Sequence, residues 1–196
     1  MESNMVSNIF FSGVGGQGLV LANAITSSAA LEAGLDVKTS DIYGLAMRGG
    51  ALYGFHRHGP RVLTSTFAAG QGDILVAIEP LEGLRWARMM RRGAVAIVNT
   101  RPVLPSPVLL EKAAYPLDFA ERLADGGLIV KAVDAVGMAQ QAGTVRAANT
   151  VLLGMLSAQL PHIPESCWTR ALEIHLGNKR FEENLVAFNS GRSIAK

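Results

Sequence analysis

Residues 10–18 read FFSGVGGQG, and the fold turns on them. An apolar run (Ile9, Phe10, Phe11) gives way to four glycines in six positions, and a Leu- and Ala-rich segment follows from Gln17 to Ala33. That is the order of a buried strand, a tight turn and a helix N-terminus, the start of a Rossmann-like unit. The first turn of a helix carries N–H donors with no partner of their own, so such a turn is a ready anion site. Gly13, Gly15, Gly16, Gln17 and Gly18 are therefore candidates for a loop of donors, with plain turn geometry as the equal alternative.

Working outward, DVKTSDIY (36–43), ALYGFHRH (51–58) and RVLTSTF (61–67) read as strands two, three and four. About seven residues and then about two connect them, whereas a parallel crossover with its helix needs at least about 10–12. These strands are expected to turn back antiparallel, which makes the sheet mixed. After AAGQG the βα rhythm resumes. DILVAIEP is a strand, LEGLRWARMMRR (81–92) a helix, AVAIVNT a strand, DFAERLADGG a short helix, LIVKAVD a last strand and AVGMAQQAG a short helix. Three helices close the chain, over Val145–Leu160, Pro164–Leu176 and Arg180–Asn189. The expectation is one domain over residues 1–196: a three-layer α/β/α arrangement with a mixed, mainly parallel sheet.

The bulk numbers narrow the function. At 196 residues, 49% hydrophobic, 17% charged and with 21 glycines, the chain suits a compact α/β protein. A net charge of +2 gives no footprint for nucleic acid or a membrane surface. The one cysteine, Cys167, excludes a disulfide framework and a cysteine-ligated iron–sulfur cluster within this chain. Neither a signal peptide nor a membrane span is legible, so the expected location is the cytoplasm. His56, His58, His162 and His175 lack metal-ligand spacing, and no metal site is predicted.

A dinucleotide reading of the glycines wants an acid about 20 positions on, and Asp41 stands near that place. The unit then fails to continue as βαβ, because strand three is reached through a loop, and Arg48-Gly49-Gly50 has no place in that fingerprint. Gly72-Asp73 with Asn99 only loosely resembles a thiamine-diphosphate signature: Ile74 stands where its glycine belongs, and Asp73 reads as a turn residue. Glu79-Pro80 reads as a helix cap.

Four segments, FSGVGGQG, TSDIYGLAMRGG, DILVAIEPLEGLR and RAANTVLLGML, supported by RFEENLVAF, together resemble the γ-type subunit of 2-oxoacid:ferredoxin oxidoreductases. Within that family the chain is most similar to the small (β) subunits that act on indolepyruvate. The likeness runs from about residue 8 to 190, with Asp41-Ile42-Tyr43-Gly44 departing from the pattern of that branch. The resemblance implies a subunit of an enzyme that decarboxylates a 2-oxoacid oxidatively to an acyl-CoA. It implies that thiamine diphosphate, Mg²⁺ and iron–sulfur clusters sit in a larger partner subunit, that electrons leave to ferredoxin, and that coenzyme A takes the acyl group. This chain would bind none of these tightly, and a homodimer stays open for it in isolation. A free-standing NAD- or flavin-binding oxidoreductase and a purely structural scaffold subunit are the other two classes.

In that setting the glycine loop would face coenzyme A or the partner's diphosphate region. Arg48, followed by Gly49-Gly50 in the connection between strands two and three and near Ser40 and Asp41, is a candidate for a bidentate contact to a carboxylate or phosphate, or for an ion pair with Asp41. Asn149, in an otherwise apolar helix, is expected to tie down a glycine loop.

Overall fold

The structure is a computed structural model that describes residues 6–43, 50–104 and 114–195. Six strands form one sheet: β1 (Ser7–Val14), β2 (Asp36–Tyr43), β3 (Ala51–Gly59), β4 (Gly72–Ala77), β5 (Met90–Asn99) and β6 (Ile129–Val133). Their order is β2-β3-β1-β4-β5-β6. β3 runs antiparallel to both its neighbours, and the β1–β4, β4–β5 and β5–β6 pairs are parallel. The mixed, mainly parallel sheet expected from the short connections is the one observed.

Helix α1 (Leu19–Glu32) covers one face of the sheet, together with α4 (Ala135–Gln141), α5 (Ala148–Gln159), α6 (Glu165–Leu176) and α7 (Asn178–Ile194). Helices α2 (Pro80–Trp86) and α3 (Phe119–Asp125) lie on the other. Odd positions of β1 (Ile9, Phe11) enter the aliphatic core under α1, while Phe10 enters an aromatic cluster with Tyr53, Phe55, Phe67 and Trp86. This is the two-residue period of a strand buried on both faces. Helix α5 is buried from Thr150 through Ser157. It crosses α7 so closely that a Cβ on Gly154 would run into the Phe188 carbonyl, and one on Gly191 into the Val151 carbonyl.

Two expectations need correction. RVLTSTF is not a strand: β2 pairs along one edge of β3 and β1 along the other, which leaves no free edge for it. The segment is instead held from its side, with Val62 N–H donating to Asp36 (2.8 Å) and the Arg57 guanidinium donating to the Thr64 and Thr66 carbonyls (3.2 and 3.1 Å). The helix over 81–92 also stops early. It ends at Trp86, continues as one 3₁₀ turn over Ala87–Met89, and hands Met90 onward to β5, where Arg91 pairs with Asp73 at 2.8 Å. Arg91 and Arg92, expected within that helix, therefore lie on β5.

Candidate functional site

The glycine loop sits at the carboxyl ends of the parallel strands, the edge where open α/β sheets place ligands. Its path is set by its own side chains. Gln17 folds back so that its Oε1 accepts from Val14 N–H (2.7 Å), and Gln17 N–H donates to the Val14 carbonyl (3.1 Å). Gly16 and Gly18 take positive φ (95° and 76°), a conformation that an L side chain adopts only with strain. Gly15 N–H donates to the Gly50 carbonyl at 2.9 Å, which joins the two glycine-rich segments. Asn149 donates through Nδ2 to the Gln17 carbonyl at 2.5 Å, the tie expected of it.

What the loop leaves free is informative. Gly18 is the N-cap of α1, no side chain caps that end, and no acid stands in its first turn. The N–H groups of Gly16 and Gly18 have no partner among the described residues. A helix end with unpaired donors and a positive dipole favours an anion.

Beside it lies a cavity of about 550 Å³, floored by Ile78, Leu153 and Ile25 and walled by Asn149, Thr150 and Asn184. Arg146 and Arg180 stand at its rim, both solvent-exposed, and among the described residues no acidic side chain lines it. Neither arginine makes an ion pair among the described residues. Two unpaired guanidiniums and a bare helix N-terminus around one apolar-floored cavity suit a ligand with phosphate or carboxylate at one end and less polar bulk at the other. Sequence reasoning missed both arginines, although each opens a segment it had singled out, RAANTVLLGML and RFEENLVAF. Nothing in the sequence brings residues 34 positions apart to one rim; the α5–α7 crossing does.

The other candidates divide. Gly50 joins the loop, while Arg48 and Gly49 lie outside the described residues. Ser40 and Asp41 are on β2, separated from β1 by the whole of β3. Asp41 lies over Gly54, where a Cβ would strike its Oδ1, and accepts from Asn23 Nδ2 at 2.7 Å. Burial raises its pKa above the ordinary carboxylate value. Because β3 stands between β1 and β2, Asp41 cannot serve a ligand on the loop as the acid of a dinucleotide fold serves a ribose, since that acid ends the neighbouring strand.

Asp73 and Asn99 are at opposite ends of β4 and β5. Asp73 accepts from Asn8 N–H (2.9 Å) and Arg91; Asn99 bridges the Ile78 carbonyl and Ala135 N–H (3.1 and 3.2 Å). Glu79 does cap α2, accepting from Glu82 N–H at 2.8 Å, and takes further hydrogen bonds from Val103 N–H and the Tyr115 hydroxyl.

The family model for pyruvate ferredoxin/flavodoxin oxidoreductase matches residues 8–194. Indolepyruvate oxidoreductase subunit IorB of Thermococcus kodakarensis is 33% identical over 195 residues, covering 96% of each chain. Among solved structures, the γ subunit of a keto/oxoacid ferredoxin oxidoreductase from Geobacter sulfurreducens superposes with a TM-score of 0.73 at 26% identity, covering 96% of this chain and 98% of that one. The 2-oxoglutarate:ferredoxin oxidoreductase of Magnetococcus marinus, solved with 2-oxoglutarate, coenzyme A and succinyl-CoA bound, shares the fold (TM-score 0.74, 21% identity) over 97% of this chain and 31% of its own.

Proposed function

The chain belongs to the pyruvate ferredoxin/flavodoxin oxidoreductase family, as the γ-type subunit of a ferredoxin-linked 2-oxoacid oxidoreductase, and from that premise we propose a substrate and a ligand for it. The oxoacid is indolepyruvate or a related aryl-pyruvate, a reading supported by the name of the Thermococcus relative. The ligand at the glycine loop is the phosphate-bearing part of coenzyme A.

One observation carries the second assignment: the uncapped end of α1 and Arg146 and Arg180, which make no ion pair among the described residues, surround one cavity that no described acid lines. In this reading the guanidiniums bind phosphate oxygens, the Gly16 and Gly18 N–H groups donate to the same anion, and Asn149 holds the loop that presents them. Arg48 is read as a further contact to ligand or partner, since Gly50, two residues on, meets Gly15. When bound, coenzyme A supplies the thiol that accepts the acyl group.

Thiamine diphosphate, its Mg²⁺ and the iron–sulfur clusters are assigned to the larger partner subunit. The donor chemistry of this chain supports that. It has one cysteine, and among the described residues no three His, Cys, Asp or Glu side chains are grouped to hold a metal.

The test uses the assembled complex. Arg146→Ala and Arg180→Ala should each raise KM for coenzyme A about tenfold, the worth of one charge-assisted hydrogen bond, with KM for the oxoacid unchanged. An unchanged coenzyme A KM in both variants overturns the ligand assignment. Comparing kcat/KM across indolepyruvate, pyruvate and 2-oxoglutarate tests the substrate, and preference for either of the last two overturns it.

A further inference from the structure

A row of three imidazoles crosses the layer between the sheet and α1, away from the glycine loop. His162, exposed just before α6, stands with its Nε2 2.9 Å from His58 Nε2. His58 Nδ1 is 3.0 Å from His56 Nε2, and both of these rings are fully buried on β3. His56 Nδ1 lies 3.2 Å from Asn23 Oδ1 and 3.3 Å from Ser27 Oγ. Asn23, on α1, reaches the Asp41 carboxylate.

The direction of every bond follows from Asn23. Its amide nitrogen faces two acceptors, Asp41 Oδ1 and the Phe55 carbonyl, so its oxygen faces His56 and can only accept. Ser27 spends its hydroxyl proton on the Asn23 carbonyl, so it too accepts from His56. His56 therefore carries its proton on Nδ1. In the neutral row its bare Nε2 accepts from His58 Nδ1–H, and the bare Nε2 of His58 accepts from His162 Nε2–H. Only the solvent-facing Nδ1 of His162 is left open to a proton.

We propose that His162, His58 and His56 form a single-file proton relay from solvent near the Gly59 end of β3 to the buried His56, which Asn23 links to Asp41. A proton added from water or a buffer acid to His162 Nδ1 releases His162 Nε2–H to His58 Nε2. His58 then passes its Nδ1–H to His56 Nε2. His162 and His58 each gain one proton and give one up, His56 gains one and keeps it with the net charge of +1, and both imidazole–imidazole links keep their hydrogen bonds with the sense reversed. Asn23 ends the file: the proton and its charge stop at His56, and Asp41, on the far side of the Asn23 amide, feels that charge.

Among the described residues, the groups that face the row are Asp41 on β2 at its inner end, Asp73 on β4 acting on His58, and from α1 the neutral Asn23 and Ser27. Burial lowers the pKa of all three rings, that of His58 to about 4, so the resting row at neutral pH holds no extra proton.

Ring ¹⁵N spectra of the full-length chain test this. Near pH 8, His56 and His58 should both carry the proton on Nδ1. On acidification, the His56 ring signals and the Asp41 carboxyl ¹³C signal should move in the same step as His162. His162→Phe, at an exposed position, should abolish that step at His56 and at Asp41. Asp41→Asn should move it to lower pH, through loss of the carboxylate beyond Asn23. A proton on Nε2 of either buried ring overturns the relay. So does a His56 signal that stays flat while His162 titrates, or a His56 titration unchanged in His162→Phe; a purely structural row would give these last two results.

Discussion

At the scale of single residues, Glu79 shows how a carboxyl group buried just past a strand end is held. Glu79 is 1% exposed and is satisfied by two backbone N–H groups and the Tyr115 hydroxyl. Burial, and after it the hydrogen bond to the Glu79 carboxyl group, raises the Tyr115 pKa well above that of a free phenol. Tyr115→Phe should cost about 1–2 kcal/mol, because it removes a donor from a buried charge, and urea unfolding would measure it. Asn149 acts through the backbone of the glycine loop. Asn149→Ala should weaken coenzyme A binding in the complex by loosening the loop, and Asn149→Asp should weaken it further by putting a negative charge against the carbonyl it now donates to.

At the scale of elements, the contact of α5 with α7 sets the position of the cavity. Each helix meets the other's backbone at a glycine, so Gly154→Ala and Gly191→Ala must push the axes apart. Overpacking of this kind costs about 1–3 kcal/mol or more, and a thermal melt should show Tm lowered by several degrees. Because Arg146 precedes α5 and Arg180 lies in the first turn of α7, either variant should also loosen the coenzyme A site. β2 and β3 were legible from the sequence to within a residue, because alternation and short loops leave a strand little choice. The supposed strand over 61–67 has the same composition as a real one. Only the occupied edges of β3 exclude it, and pairing partners are a property of the whole sheet.

At the scale of the molecule, the buried histidines make stability depend on pH. Their folded pKa values lie below the unfolded value of about 6.5, so the stability they contribute is complete above that pH. It is lost as pH falls from about 6.5 toward the folded value, about 4 for His58. Each ring contributes up to about 1.4 kcal/mol per pH unit across this window, with Asp41 and Glu82, raised by burial, offsetting part of it at the acid end. Denaturant midpoints measured from pH 7.5 to 4.5 should fall steadily, and fall less in His162→Phe. The sequence by itself determined the strand–turn–helix opening, the antiparallel return of β3, the tie from Asn149 and the family, because these rest on local periodicity, loop length and short motifs. Tertiary structure alone decided that Arg146 and Arg180 share a rim, that Asp41 stands apart from the loop, and that three histidines with no metal spacing form one file. Each of these depends on which helices and strands pack side by side, and spacing along the chain carries no record of that.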